Sequence, residues 1–243
     1  MKEQTLYMKK KEQLYEGKAK KVFATEDPAF VIVSYKDDAT AFDGTKKGTI
    51  VGKGAINNRM TNVLMQKLEN NGIPTHFVEQ LNDRETLVKR VRIVPLEVIV
   101  RNISAGHFAS RYGVKEGIVF EEPVVEYSYK NDELHDPLLN DDHAIALKLA
   151  TREELRTIRD YALRINKILR GILQEAGVTL VDFKLEFGKT VDGVLVLADE
   201  ISPDTCRFWD SKTGEKLDKD RFRRDLGNVE GAYEEMSRRL MGP

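Results

Sequence analysis

The sequence predicts an α+β protein, strand-rich in its first half and mixed in its second. Three observations carry this. Short β-rich runs separated by turn residues dominate residues 1–100, and one helix-period segment interrupts them. The second half holds the longest amphipathic helix, a strand hairpin and a final helix. No Gly/Ser linker divides the chain, so the change of character near Pro95 sets the expected boundary between units 1–95 and 96–243.

Taken in order, residues 21–24 and 30–35 are β-rich runs separated by the turn signal Glu26-Asp27-Pro28. Ile56, Met60, Val63, Leu64 and Leu68 recur on one helical face, with Gly72 as the closing residue and Pro74 beyond it. Residues 75–80, 85–91 and 96–100 are three further strands, placing the helix inside an antiparallel region. Gly106–Tyr112 is a short helix, and residues 113–143 are turn-rich and acidic. Thr151 and Glu154 form a capping box opening a helix whose apolar face is Leu155, Ile158, Ala162, Ile165, Leu169 and Ile172; Gly177 ends it. A hairpin follows, with strands 178–187 and 194–201 around a turn at 188–193. Residues 201–210 form a loop, and Val229, Tyr233, Met236 and Leu240 define the last helix. A near-duplication, Lys2-Glu3-Gln4-Thr5-Leu6-Tyr7 against Lys11-Glu12-Gln13-Leu14-Tyr15, is too short to be a structural repeat.

Composition narrows the function classes. Of 243 residues 41% are apolar, enough for a real core and against disorder. Lys plus Arg number 39 against 40 Asp plus Glu, a net charge of −1, which disfavours a nucleic-acid partner. Cys206 is the single cysteine, so no intrachain disulfide or cysteine metal cluster forms, and a reducing cytoplasm is expected. The four histidines include no H-x-x-x-H pair, so any metal should be a hard ion on oxygen ligands. No apolar run approaches ~18 residues, and residues 1–11 lack the apolar core of a signal peptide, so no membrane span or export signal is expected.

Five segments carry candidate chemistry. In Val181-Asp182-Phe183-Lys184-Leu185-Glu186-Phe187 the strand period puts Asp182, Lys184 and Glu186 on one face. The return strand ends in Asp199-Glu200, and clustered carboxylates repel unless a cation lies between them, which suits Mg²⁺ shared with phosphate oxygens; an ordinary solvated face is about equally compatible. Gly17-Lys18-Ala19-Lys20-Lys21 sets lysines behind a glycine turn, as a phosphate contact or a basic surface turn. Residues 45–54 superficially suggest a P-loop, but the glycine spacing is short and Gly54 stands where Ser or Thr should bind Mg²⁺. The strand 96–100 delivers Arg101 to the Ser104-Ala105-Gly106-His107 turn at a helix start, a phosphate receptor or a surface ion pair. Arg207, just after the acidic strand end, can meet a second anion or local acids.

These segments together resemble the SAICAR synthetase family, from about Gln13 to Leu240. The likeness rests on Tyr15-Glu16-Gly17-Lys18-Ala19-Lys20, Val94-Pro95-Leu96-Glu97 through Arg101-Asn102, His135-Asp136-Pro137, the 181–188 strand, Asp199-Glu200 and Ser202-Pro203-Asp204. It departs at His107, where the family usually has Ser. The resemblance implies a kinase-like two-domain architecture: a mainly antiparallel β N-terminal domain, 1–95, packed on an α/β C-terminal domain, 96–243, with ATP in the cleft. It implies Lys18 and Lys20 along the ATP phosphates, Lys89 near the nucleotide, and backbone groups around Val94–Glu97 on adenine. Glu186 and Asp199 would hold Mg²⁺. Arg101, Ser104, His107 and Arg207 would bind the 5′-phosphate of an imidazole ribonucleotide and Asp182 its ribose. Lys184 would lie beside the reacting carboxylate, with Lys130 and Asp136 toward the aspartate or phosphate end. The implied reaction is ATP-dependent joining of L-aspartate to the ribonucleotide carboxylate of CAIR, through an acyl phosphate, in a cytoplasmic homo-oligomer. A kinase-like phosphotransferase acting on a small phosphorylated metabolite is the alternative; the lack of H-R-D-x-x-x-x-N and D-F-G motifs counts against a protein kinase.

Overall fold

A computed structural model describes residues 8–41 and 44–242, so the Lys2–Tyr7 half of the near-duplication lies outside the described residues. The first half forms β1 (Gln13–Glu16), β2 (Lys20–Ala24), β3 (Phe30–Tyr35), β4 (Asp38–Ala41), β5 (Lys46–Thr49), α1 (Lys53–Glu69), β6 (Phe77–Gln80) and β7 (Glu85–Lys89). Five of these strands make one sheet in the order β1-β2-β3-β7-β6, while β4 and β5 pair separately. The second half comprises β8 (Val91–Ile93), β9 (Leu96–Ile103), α2 (Gly106–Tyr112), β10 (Val119–Tyr129), β11 (Leu138–Leu139), α3 (Asp141–Ala146) and α4 (Arg152–Glu175). It continues with β12 (Val178–Thr190), β13 (Leu195–Ala198), β14 (Cys206–Asp210), α5 (Asp220–Arg223) and α6 (Val229–Met241). Its seven-stranded sheet runs β11-β10-β9-β12-β13, with β8 and β14 also paired to β12. Among the described residues no helix is long and apolar enough to cross a membrane.

The locally encoded elements form as their sequences dictate. The Thr151 side chain accepts from the Glu154 amide, and Glu154 returns a bond to the Thr151 amide at 2.8 Å. Leu155, Ile158, Ala162, Ile165 and Leu169 of α4 are buried against β12, and Gly177 follows with φ +68°. Helix α1 is capped at Asn70, and Gly72 takes φ +76° just beyond. Met60, Leu64 and Leu68 of α1 share one core with Val98, Val100, Phe183, Leu185 and Phe187, and the helix packs against β6 and β3 of the first sheet and α6 and α4 of the second half.

Several elements differ from expectation. The 113–143 segment contains an eleven-residue strand, β10. Its alternation is broken by Glu121, Glu122 and Pro123, which fill an irregularity in the β9 ladder between Val119 and Val124. The 201–210 segment closes as β14, with Cys206 and Phe208 buried on one side. The expected strand 85–91 divides at Arg90, whose amide donates to Ala29; Val91–Ile93 then joins β12. Part of the glycine-rich 45–54 segment is the strand β5, and Gly54 serves packing. A Cβ there would lie 2.8 Å from the Tyr35 carbonyl oxygen and 2.6 Å from the Arg84 guanidinium.

Candidate active site

A cleft of about 1090 Å³ opens between the two sheets. Strand β12 supplies its floor: Asp182, Lys184 and Glu186 face the cleft while Leu185 and Phe187 lie in the core. The period-two reading of this strand therefore places all three charged residues together. The register, which alternation leaves open, sets Glu186 opposite Ala198 and Asp182 opposite both Arg101 and Arg207.

One end is built from lysines and carboxylates. Lys184 Nζ lies 3.0 Å from Glu97 and 3.0 Å from Glu186, and Lys130 Nζ lies 2.9 Å from Glu186. Lys20 pairs with Asp199 and lies 2.8 Å from Glu200. Burial works against charge on Lys184, but Glu186, Asp199 and Glu97 outweigh it and raise its pKa, keeping the ammonium charged. Burial likewise opposes ionisation of Asp199, and Lys20, Lys184 and Lys130 overcome it, holding the carboxyl well below the usual range. Lys89 donates to the Thr75 carbonyl at 2.9 Å and lines the cleft. Lys18 reaches across from the β1–β2 turn to Asp132 at 3.1 Å.

The other end is built from arginines. Asp182, 3% exposed, accepts from Arg101 at 2.8 Å and from Arg207 at 3.0 Å. Arg101 also pairs with Glu126, and Arg207 with Asp220, each at 2.8 Å; Arg223 joins Asp220 at 2.7 Å. Burial pushes the Asp220 carboxyl up, and Arg207 and Arg223 more than offset this, bringing it to about 2. His107 lines the cleft here, its pKa lowered by burial and by Arg207, Arg111, Arg101 and Arg223. Gly106 has φ +51°, and a Cβ there would sit 2.2 Å from the Arg207 guanidinium, so only glycine lets the α2 start approach that arginine.

One expectation is not met by the geometry. Ser104 is fully buried away from the cleft; its hydroxyl donates to Lys115 O at 2.6 Å and accepts from Ile118 N at 2.8 Å, stitching the 113–118 loop to β9. Near Val94–Glu97, the Val94 amide donates to Phe187, the Val94 carbonyl accepts from Leu96, and the Pro95 carbonyl accepts from Lys130. The cleft wall there is Val91, Ile93 and the Glu97 side chain. Asp136, at φ +46°, lines the cleft and accepts from the Asn131 amide at 2.8 Å, shaping the loop that carries Lys130.

The structure adds residues that the motifs do not reveal. Lys219, Asp220 and Arg223 complete the arginine end; their signal is the charge-dense run Lys216–Arg224. Asp204 faces the cleft while accepting from the fully buried Lys53 at 2.8 Å and from the Tyr233 hydroxyl. His76 is buried beside Asp199, and desolvation with nearby Lys20 brings its pKa down to about 4, so the ring is neutral. Glu186 and Asp199 offer hard oxygen donors from facing strands, which is the donor chemistry Mg²⁺ takes. No group of three His, Cys, Asp or Glu able to hold a metal occurs among the described residues, so phosphate and water oxygens must complete any such coordination.

A cleft with metal-capable carboxylates among lysines at one end and braced arginines at the other defines a site for anionic small molecules, phosphates above all. Residues 13–240 match the SAICAR synthetase family model. A phosphoribosylaminoimidazole-succinocarboxamide synthase of Coprothermobacter proteolyticus is 61% identical over 96% of this chain and 99% of its own length. A crystal structure of the enzyme of that name from Ehrlichia chaffeensis superposes with a TM-score of 0.93 at 47% identity, covering 96% of this chain and 99% of that one. A SAICAR synthetase in complex with ADP superposes with a TM-score of 0.92 at 49% identity, covering 96% and 98%. The chain belongs to the SAICAR synthetase family, and it is a ligase of purine biosynthesis.

Proposed function

We propose that the two ends of the cleft divide one reaction between them: ATP lies at the lysine end and the imidazole ribonucleotide CAIR at the arginine end, with β12 beneath both. The two sheets then act as lobes of a kinase-like cleft, 1–95 and 96–243. The observation that carries this reading is the placement of Asp182, Lys184 and Glu186 on one face of β12, where the two charge clusters meet.

A carboxylate is a poor acyl donor because oxide is a poor leaving group. A CAIR carboxylate oxygen therefore attacks the γ-phosphorus, the bond to ADP breaks, and an acyl phosphate forms. The amine of L-aspartate then attacks the acyl carbon, loses a proton, and phosphate departs with the C–O bond, leaving the amide of SAICAR. Such transfer requires positioning and charge neutralisation more than a protein nucleophile. Lys184 lies nearest the reacting carboxylate and stays charged, so it offsets charge there without giving up a proton. Lys18, Lys20 and Lys89 line the path of the ATP phosphates, and Val91 and Ile93 give the base an apolar wall. Glu186 and Asp199 would hold Mg²⁺, which when bound neutralises charge on the phosphates. Arg101, Arg207 and His107 face the 5′-phosphate. Both oxygens of Asp182 already accept from guanidiniums, so it acts on the ribonucleotide by fixing Arg101 and Arg207. Lys130 and Asp136 face the aspartate side of the acyl centre.

The test is turnover with one substrate omitted at a time. ADP release should require both L-aspartate and CAIR and should match SAICAR formation. Steady ADP release without either one, or with a hydroxyl acceptor in place of CAIR, contradicts the ligase assignment of this cleft.

A further inference from the structure

Asp199 stands where β13 ends. Leu197 is buried in the core and Ala198 faces the cleft, so strict alternation would return the Asp199 side chain to the core side. Instead Asp199 has φ +56°, in the left-handed region that non-glycine residues rarely enter, and its carboxylate lines the cleft. Such backbone persists only where surrounding contacts over-determine it. Lys20 holds the carboxylate, but a side-chain ion pair does not fix the peptide.

The end of β13 just before Asp199 is held from the other side, by the segment that bridges the two sheets. Thr75 forms a parallel bridge with Leu197, and the Leu197 amide donates to the Pro74 carbonyl at 2.9 Å. The His76 amide donates to the Leu197 carbonyl at 2.8 Å, and the His76 carbonyl accepts from the Lys89 amide of β7 at 2.7 Å. His76 thus spans the five-stranded sheet and β13. Its ring, in a residue only 7% exposed, lies beside the Asp199 backbone.

We infer that His76 is a positioning residue: its ring clamps the left-handed Asp199 peptide and thereby aims the Asp199 carboxylate at the metal that ATP brings. This rests on the reading of Glu186 and Asp199 as the Mg²⁺ ligands. His76 touches neither metal nor substrate in this account. Partners that orient a ligating group commonly set metal affinity by about 10- to 100-fold when removed. The effect should therefore appear in Mg²⁺-dependent nucleotide binding and not in binding of the ribonucleotide.

The experiment is calorimetric titration of ADP into wild type, His76→Leu and His76→Gln, each with Mg²⁺ and with EDTA, and of CAIR into the same proteins. His76→Leu should lose about 10- to 100-fold of the tightening of ADP by Mg²⁺, with ADP affinity in EDTA and CAIR affinity unchanged. His76→Gln, which keeps an N–H donor, should recover most of it. Full Mg²⁺-dependent tightening in His76→Leu overturns the proposal. So does a parallel loss of ADP binding in EDTA and of CAIR binding, which marks general damage, and so does a His76→Gln protein no better than His76→Leu. If wild type itself shows no Mg²⁺ dependence, the metal reading of Glu186 and Asp199 fails first and takes this inference with it; a result confined to the variants separates the two.

Discussion

At one end of the cleft β12 presents Asp182 to Arg101 and Arg207; farther along the same face it presents Glu186 to Lys130 and Lys184. Both carboxylates are buried and both are paired with two cations, yet the ends differ in kind. Arg101 is 4% exposed and held by a second carboxylate, Glu126, while Arg207 is held by Asp220. The guanidiniums are therefore locked in orientation, which suits recognition of a planar or tetrahedral anion by fixed forks. Lys130 keeps 42% of its side chain exposed, and ammonium groups are point charges on flexible stems. Under the proposed function they yield Glu186 to the metal–nucleotide. In the proposed function one strand thus serves recognition at one end and chemistry at the other, and the partner cations decide which.

The largest blow to this contrast should come from Glu186→Gln. Turnover should fall by at least about 100-fold, since the metal loses a ligand, while the circular-dichroism melting profile stays cooperative. Wild-type turnover in that variant would make the two ends alike. Arg101→Ala should act on the other end, raising the KM for CAIR by about 10- to 100-fold, the worth of a charge-assisted hydrogen bond, with a smaller change in kcat. Steady-state kinetics with CAIR varied decides it, and an unchanged KM removes Arg101 from the phosphate site.

A pH effect separates the ends further. The His76 ring, buried near Lys20 and Lys89, titrates at about 4 in the fold against 6.5 when free. The unfolded chain thus binds this proton first, and stability is lost as pH falls from about 6.5 toward about 4, by up to ~3 kcal/mol. Asp218, raised to about 7 by burial beside Asp220, runs the other way. The difference between wild type and His76→Gln isolates the histidine: urea denaturation should show wild type losing more stability over that window. The smallest effect belongs to His107→Ser. Burial, with Arg207, Arg111, Arg101 and Arg223, lowers the pKa of the ring and disfavours its charged form, so its loss should change the KM for CAIR at pH 7 by less than about tenfold.

What was legible in the sequence was local. The Thr151–Glu154 capping box, the apolar stripe of α4 and the two-residue period of β12 are decided by neighbours along the chain, and they placed Asp182, Lys184 and Glu186 correctly on one face. The rest depended on pairing between distant segments. β10 carries no clean local signal because Glu121, Glu122 and Pro123 interrupt its pattern where the ladder to β9 is itself broken. Ser104 sits in a strand-to-helix turn that suits an anion, but the 113–118 loop occupies its hydroxyl. His76 and Asp199 are joined through the bridge between Thr75 and Leu197, a contact without any signature in local spacing. Lys219, Asp220 and Arg223 lie in a charge-dense run that reads equally well as solvated surface, and only Arg207 from β14 draws Asp220 into the site.

The central claim is that the CAIR carboxylate is activated as an acyl phosphate at the junction of the two ends. The direct measurement is oxygen transfer: CAIR labelled with oxygen-18 in its carboxylate is turned over with ATP and L-aspartate, and the released phosphate is examined by mass spectrometry or phosphorus NMR. The account predicts that each phosphate carries one labelled oxygen from the carboxylate. Unlabelled phosphate, with the lost carboxylate oxygen released to water instead, would contradict it.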